Sequence, residues 1–414
     1  MLAIMPIGRE PTVLRRAGSA CAQTSSDNGR LNFWVTGLVQ KMMGSREGST
    51  ERPAPEPFVR AARRPFGIDS VRIGSETHPV SECELLRLPW AALTTFSHRG
   101  APHRQILVVA PLSGGFPFLL RDLVIGLLRH AHRVAITDWP DARYVPLAHG
   151  RFGVSDSISH VASMIRALGP DLHVVAVSQG AVTALAAVAL LAAEDQALTP
   201  RSLVLLGGPI DPGANPTPLV NFVRARSLRW FEDNVIETVP AGYPGQGRRV
   251  FPRSNQLKMF QAYSWRSFHE SSEFVWKLMY DDGEDPVRFP FSLLSSSLMD
   301  VTADFLLENI QHVFLEPALP NGTLAVHGNR VDLSAIERTA LMTMEAEKDD
   351  IAAPGQTQIA QALCSSISDR QRQHLLLPAS GHFSLFHGDT WRSRVLPAIV
   401  DFMERAEGPP TVVR

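Results

Sequence analysis

The sequence predicts an α/β protein built on a mostly parallel, doubly wound sheet with an inserted cap. Short apolar strands alternate with helical segments along the chain, a pattern typical of parallel sheets covered by helices. One of these strands passes at Ser178 directly into a helix of small residues. Residues 211–331 then break the alternation before the last strands follow, so an insertion is predicted there.

The individual elements are predicted from apolar runs bounded by turn residues. The first buried strand begins at Arg104, and the next covers 133–139, with an amphipathic helix between them at 118–130. A second helix is predicted at 155–168. The remaining predicted elements are strands at 172–177, 202–206, 341–345 and 374–377, and a helix at 356–364.

Composition divides the chain into five segments. Residues 1–65 are rich in Arg, Ser, Gly and Pro and are predicted to be a poorly structured extension. The other segments are the two parts of the core (66–210 and 332–406), the cap between them (211–331) and a tail (407–414).

The predicted cap is rich in aromatic residues, among them Trp230, Trp265 and Trp276. An insertion after a mid-sheet strand lies over the strand ends, where it shapes a binding site. Whether these aromatic side chains reach that site or only form the cap's own small core stays open.

The composition describes an ordinary globular protein of 414 residues with a net charge of −1. Lys and Arg total 40 against 41 Asp and Glu, without a basic block, so no nucleic-acid partner is expected. The cysteines Cys21, Cys83 and Cys364 lack metal-type spacing, and no metal or other cofactor is expected. Scattered cysteines fit a reducing compartment.

No membrane-spanning segment is expected, because no apolar run approaches the roughly 18 residues that a span needs. The apolar stretch at residues 2–7 is too short for a secretory signal and is followed by Arg9 and Glu10. These features together predict a cytoplasmic protein. The sequence leaves the formation of a homo-oligomer open.

The strand-to-helix junction at Ser178 is typical of a nucleophile elbow. Gly180 follows two residues later and permits a sharp turn that would expose the serine hydroxyl. Ala176 stands where the usual pattern has a first glycine, and alanine is the smallest side chain that can replace it. Ser178 is therefore the candidate nucleophile.

A serine nucleophile needs a histidine base and a carboxylate that orients it. His382 follows the last predicted strand, with Gly381 before it to permit a tight loop. Two adjacent carboxylates, Asp349 and Asp350, follow the strand before that. We choose Asp349 as the acid, with Asp350 as the alternative and Asp211 as a remote third choice.

An oxyanion hole needs two converging N–H groups. Gln179, the residue after the nucleophile, would provide one from its backbone. The loop at 110–115 follows the first buried strand and contains two adjacent glycines. Leu112 or Ser113 in this loop is the candidate second donor, although the glycines could also form only a turn before the helix.

Five segments of the chain resemble the intracellular polyhydroxyalkanoate (polyhydroxybutyrate) depolymerase family, and the similarity extends over about residues 66–402. The segment at 137–146 contains Thr-Asp-Trp, and that at 207–217 contains Asn-Pro-Thr. The segments are 110–115, 137–146, 207–217, 345–357 with Asp-Asp-Ile-Ala-Ala-Pro, and 381–391 with Gly-His-Phe-Ser.

This resemblance implies an α/β-hydrolase fold and cleavage of ester bonds in a poly(3-hydroxybutyrate)-type storage polymer. It implies Asp349 and His382 as acid and base, and a polyester granule or hydroxyalkanoate oligomer as the partner. The family often has a Cys nucleophile where this chain has Ser178, and Tyr-Gly where it has Phe383 and Ser384. These differences bear on the substrate and on whether water or a thiol accepts the acyl group.

Three other functions remain as alternatives. An esterase of the same fold could act on soluble short-chain esters, because cap composition specifies a polymer poorly. An acyltransferase of the polyester-synthase kind is disfavoured, because it relies on a thiolate nucleophile. A granule-associated protein that only binds is disfavoured by the intact Ser178, Asp349 and His382.

Overall fold

The computed structural model describes residues 66–112, 120–258 and 298–407. The predicted extension at 1–65, the candidate donor Ser113 and the cap residues Trp265 and Trp276 lie outside these ranges. Among the described residues, a central sheet of eight strands dominates the molecule. The described strands are β1 (Ser70–Ile73), β2 (Glu76–Pro79), β3 (Ser81–Leu88), β4 (Ala91–Ser97), β5 (Gln105–Val109), β6 (Arg133–Asp138), β7 (Leu172–Val177), β8 (Ser202–Leu206), β9 (Glu237–Thr238), β10 (Arg249–Phe251), β11 (Val301–Thr302), β12 (Ala325–Val326), β13 (Asn329–Arg330), β14 (Ala340–Ala346) and β15 (Arg372–Leu377).

The central sheet has the strand order β15-β14-β8-β7-β5-β6-β4-β3. Neighbouring strands from β15 to β6 pair in parallel. Strand β4 runs against both of its neighbours. The mostly parallel, doubly wound sheet that the sequence predicts is therefore confirmed. Ligands of such sheets bind at the carboxyl ends of the strands, and β7, β14 and β15 all end at that edge of the sheet.

The antiparallel strands β3 and β4 are missing from the sequence prediction, which begins the sheet at Arg104. Strand β3 lies at the edge of the sheet, and most of its residues are exposed. Polar and charged residues alternate with the apolar ones over much of β3, so the continuous apolar run used to predict the other strands is absent there. Strands β7 and β8, buried at every position, have the predicted bounds.

Helices cover both faces of the sheet. Helix α3 follows the nucleophile candidate directly and is buried almost all round. Its alanines allow it to approach the sheet closely, as dense packing requires. The described helices are α1 (Arg121–Leu128), α2 (Val154–Leu168), α3 (Gly180–Glu194), α4 (Pro218–Arg224), α5 (Leu228–Asn234), α6 (Ala303–Asn309), α7 (Ala360–Leu363), α8 (Gly388–Thr390) and α9 (Leu396–Glu407).

The helix predicted at 356–364 is wrong in extent, because only Ala360–Leu363 forms an α-helix. The backbone N–H groups of Thr357 and Gln358 donate to the carboxylate of Glu345 at 2.7 and 2.9 Å. The chain before Ala360 is thus drawn back to strand β14 as a series of turns. Sequence periodicity does not report such a long-range contact.

The region between β8 and β14 contains helices α4 to α6, the small sheet of β9, β10 and β11, and the hairpin of β12 and β13. Arg248 in this region is buried, and its guanidinium group donates to the carbonyls of Ala142 and Pro146 at 2.8 and 2.9 Å. Arg143 and Asp300 form an ion pair at 2.9 Å. These contacts fix this region to the loop after β6. The cap boundaries at 211 and 331 stay a prediction.

Gly180 is required by close approach of two backbones. A Cβ atom added there would lie 2.5 Å from the carbonyl oxygen of Val109 in the neighbouring strand β5. We expect Gly180→Ala to lower the free energy of unfolding by about 1–3 kcal/mol through overpacking, as measured by urea denaturation. The control is Gly381→Ala, whose added Cβ meets nothing within 4 Å; equal destabilisation of both variants would contradict this explanation.

Candidate active site

Ser178 lies at the carboxyl end of β7 in the middle of the sheet, between the ends of β5 and β8. Its φ angle is 53°, in the left-handed region that non-glycine residues rarely adopt. Its N–H donates to the carbonyl of Leu206 at 2.8 Å, and its carbonyl accepts the N–H of Ala181 at 2.9 Å. The strained residue is thus held between β8 and the first turn of α3, as a nucleophile elbow requires.

His382 connects Ser178 to Asp349. Its Nε2 atom lies 3.1 Å from the Ser178 hydroxyl oxygen, and its Nδ1 atom lies 2.7 Å from Oδ2 of Asp349. The other carboxylate oxygen of Asp349 accepts the N–H groups of Ile351 and Ala352 at 2.9 and 2.8 Å. Both carboxylate oxygens are therefore engaged, and the carboxylate is oriented toward the imidazole.

The two alternative acids lie elsewhere. Asp350 contributes negative charge to the surroundings of His382, but the hydrogen bond to Nδ1 comes from Asp349. Oδ1 of Asp211 accepts the N–H of Gly213 at 2.8 Å within a turn. The geometry thus favours Asp349 as the partner of His382.

The imidazole of His382 is packed on several sides and only 3% exposed. The rings of Phe383 and Phe386 meet it edge-on, with centroids 5.5 and 5.7 Å away. Gly207 has a φ angle of 55°, and a Cβ added there would lie 3.2 Å from the imidazole. Sequence reasoning did not single out Gly207 or Phe386. The Gly-Gly pair after β8 is a signal that could have identified Gly207.

Gly381 does not have the conformational role that the sequence suggested. Its φ and ψ angles are −99° and 177°, an extended conformation open to any residue. The left-handed residue of this loop is Ala379, with a φ angle of 55°. The turn that directs His382 toward Ser178 is therefore made before Ser380.

Of the residues predicted for the oxyanion hole, Gln179 and Leu112 lie within the described ranges. Gln179 follows Ser178 at the start of α3, and Leu112 lies at the end of the described part of the loop after β5. The N–H of Leu112 donates to the side-chain oxygen of Gln179 at 3.2 Å. The side chain of Gln179 thus connects the elbow to this loop, a contact that the sequence does not predict. An entering ester carbonyl would compete with it for the Leu112 N–H.

A small cavity lies beside Leu112, between the core and the region that follows β8. Apolar groups dominate its walls, and the hydroxyl-bearing Thr302 and the carboxylate of Asp300 also border it. Its aromatic wall consists of Trp90, Trp139 and Phe152. No cluster of three His, Cys, Asp or Glu residues that could hold a metal occurs within the described ranges.

Burial disfavours the charged imidazolium of His382, but the charge and hydrogen bond of Asp349, aided by Asp350, outweigh it and raise the pKa of His382 above 6.5. A general base must be neutral. We therefore expect kcat/KM for a soluble ester to fall as pH decreases through a pKa above 6.5, which a pH profile from 5 to 9 checks. An acidic limb at or below 6.5 would contradict this electrostatic account.

The same shift has a consequence for stability. Because the pKa of His382 is higher in the folded than in the unfolded chain, the Asp349–His382 interaction contributes fully below pH 6.5. This contribution is lost as pH rises through the pKa of folded His382.

The strand order with its single reversed strand, together with a strained serine between β7 and α3, defines an α/β hydrolase. Residues 207–407 match the family model described as PHB de-polymerase C-terminus. This match to the poly(3-hydroxybutyrate) (PHB) depolymerase family, over the C-terminal part of the chain, confirms the family expected from the sequence motifs. The fold and the family together place the chain among the ester hydrolases.

The solved structures that match this chain share little sequence with it. A monoacylglycerol lipase of Paleococcus ferrophilus is 13% identical, with a TM-score of 0.43, over 77% of this chain and 98% of its own. A carboxylesterase of Nitrososphaera gargenis is 10% identical, with a TM-score of 0.45, over 79% and 99%. An α/β hydrolase of Penicillium is 14% identical, with a TM-score of 0.43, over 79% and 99%. No curated protein matches the sequence. Within the described ranges, no helix is long and apolar enough to cross a bilayer.

Proposed function

We propose that this protein is a polyester depolymerase that hydrolyses the ester bonds of poly(3-hydroxybutyrate) through a Ser178–His382–Asp349 triad. The observation that carries the proposal is the continuous hydrogen-bonded chain from the Ser178 hydroxyl through His382 to Asp349. These hydrogen bonds give Ser178 a general base and hold the imidazole of that base in one tautomer. The proposal needs no cofactor.

The reaction begins when the Ser178 oxygen attacks the ester carbonyl carbon and its proton passes to Nε2 of His382. The backbone N–H of Gln179 and an N–H of the loop at Leu112 and Ser113 would stabilise the oxyanion that forms. Collapse of this intermediate breaks the bond to the alcohol oxygen, which takes the proton from His382. Ser178 then carries the acyl group.

The second half of the reaction releases the acyl group. A water molecule gives a proton to His382 while its oxygen attacks the acyl carbon. The intermediate collapses, the proton returns to the Ser178 oxygen, and a carboxylic acid leaves. The positive charge that His382 carries in each half is stabilised by the adjacent Asp349 carboxylate.

Two features support a polyester as the substrate. The PHB depolymerase match covers the segments that carry Asp349 and His382. The repeating unit of the polymer is small and apolar, and such units bind mainly by burial of apolar surface. Phe383, which is only partly buried and lies beside the base, offers apolar surface of that kind.

The substrate is tested by comparing amorphous poly(3-hydroxybutyrate) granules with p-nitrophenyl butyrate. A depolymerase releases hydroxybutyrate or its oligomers from the granules, and Ser178→Ala abolishes this release. Hydrolysis of the soluble ester alone would leave the alternative, an esterase for short-chain esters. Product analysis with and without coenzyme A distinguishes water from a thiol as the acyl acceptor. Co-sedimentation of the Ser178→Ala variant with granules separates binding from catalysis.

A further inference from the structure

Glu345 is a buried carboxylate that the proposed reaction does not use. It lies near the end of β14, four residues before Asp349, and is 1% exposed. Its neighbours along the strand are apolar or small. Burial of a carboxylate is costly unless hydrogen bonds compensate it.

Three backbone N–H groups converge on this carboxylate. Oε2 accepts the N–H of Gly355 at 2.8 Å, and Oε1 accepts those of Thr357 and Gln358 at 2.7 and 2.9 Å. The side-chain nitrogen Nε2 of His374 lies 3.8 Å from Oε2. Because both oxygens are engaged, Glu345 acts as an anchor for the turns at 355–358.

These turns close the loop that carries Asp349. The loop leaves β14 at Ala346, whose carbonyl accepts the N–H of Asp349 at 3.0 Å. It returns at Gly355, where Glu345 binds it back to the same strand. Both ends of the loop are thus fixed to the end of β14, and Asp349 lies between them.

A second contact leads from these turns to the nucleophile. The hydroxyl of Thr357 donates to the carbonyl of Gly208 at 2.8 Å. Gly208 packs so closely under the elbow that an added Cβ would lie 2.4 Å from the Cβ of Ala181 and 3.2 Å from the carbonyl oxygen of Ser178. The turns at 355–358 therefore contact both the loop at 346–355 that carries Asp349, here called the acid loop, and Gly208, which packs beneath Ser178.

We propose that Glu345 is a positioning residue that sets the separation of Asp349, His382 and Ser178 by holding the acid loop against the Gly207–Gly208 turn beneath the elbow. This inference rests on the proposed triad. A small displacement of a catalytic group can cost about a hundredfold in rate, so a carboxylate that never touches substrate can still control turnover.

The principal test compares Glu345→Gln with Gln361→Ala. Glutamine keeps the shape of Glu345, but its NH2 group can no longer accept one of the N–H groups. We expect Glu345→Gln to lower kcat on p-nitrophenyl butyrate by about 10- to 100-fold with little change in KM. We also expect the pKa of His382, followed by NMR of the imidazole, to fall as its contact with Asp349 loosens. Asp349 and Asp350 are the charged groups that raise this pKa.

Gln361 is a matched control, because its side chain binds α7 to the same region. Its Nε2 atom donates to Thr343 Oγ1 at 3.0 Å and to the carbonyl of Gln373 at 2.8 Å. We expect Gln361→Ala to lower the melting temperature while kcat and the pKa of His382 stay unchanged. Equal decreases of kcat and of the His382 pKa in both variants, or no decrease in Glu345→Gln, would overturn the proposal.

A second variant covers the case in which Glu345→Gln does not fold. Thr357→Val removes only the hydrogen bond to Gly208, and we expect a smaller loss of kcat in the same direction. An unchanged kcat in this variant would then overturn the proposal. The NMR measurement needs no substrate. If the activity of the wild-type protein or of Ser178→Ala shows that the proposed function is wrong, the pKa of His382 in Glu345→Gln still tests the positioning role of Glu345.

Discussion

Ser178→Ala is expected to lower kcat for ester hydrolysis by roughly 10⁵- to 10⁶-fold, the loss typical of removing a triad nucleophile. Without the hydroxyl, no acyl-enzyme can form, and the hydrogen bond to His382 Nε2 disappears. The residue is half-buried, and alanine occupies less space than serine, so we expect the fold to persist. The rate is measured on p-nitrophenyl butyrate, and the fold by circular dichroism and melting temperature.

A control for this variant is Ser163→Ala on helix α2. The hydroxyl of Ser163 donates to the carbonyl of Ser159 at 2.9 Å, within the helix and away from the elbow. We expect this variant to keep its activity. A fluorophosphonate should label the wild-type protein at Ser178 and fail to label Ser178→Ala. Turnover by Ser178→Ala above about a thousandth of the wild-type rate would assign the nucleophile to another residue.

Asp349→Asn is expected to lower kcat by about 10⁴-fold. Oδ1 can still accept the N–H groups of Ile351 and Ala352, so the amide nitrogen takes the place of Oδ2. This NH2 group faces Nδ1 of His382 and must donate to it. The proton of the imidazole then moves to Nε2, where the base can no longer accept the Ser178 proton.

The pH profile gives a second measure of Asp349→Asn. Loss of the carboxylate charge removes the main interaction that raises the pKa of His382, so the acidic limb of the residual activity should move to lower pH. The matched control is Asp350→Asn, which removes a neighbouring charge but no hydrogen bond to His382. We expect it to change kcat by less than about threefold. A larger loss of kcat in Asp350→Asn than in Asp349→Asn would mean that Asp350 is the triad acid and Asp349 its neighbour.

The sequence was sufficient to predict the parallel part of the sheet and the strand-to-helix junction at Ser178. Strands β7 and β8 are continuous apolar runs, and the change to small residues at Ser178 marks the turn. Strand β3 escaped prediction because its residues face solvent. The burial that makes central strands such as β7 and β8 easy to recognise is absent in β3.

The site was predictable only as a set of candidates. Adjacent carboxylates such as Asp349 and Asp350 look alike in sequence, and only the direction of each side chain separates them. The roles of Gly207 and Glu345 depend on contacts between loops that are far apart in the chain. A carboxylate within the apolar strand β14 was a visible signal, but its N–H partners were not.

The position of β8 in the chain divides the proposed chemistry between two stretches of polypeptide. Ser178 comes before it, whereas Asp349 and His382 come after it and lie within the matched region 207–407. A protein truncated to either stretch would lack at least one residue of the proposed triad. Because every residue of β8 pairs with β7, two separately produced fragments cut between these strands could regain turnover only by reassembling the central sheet.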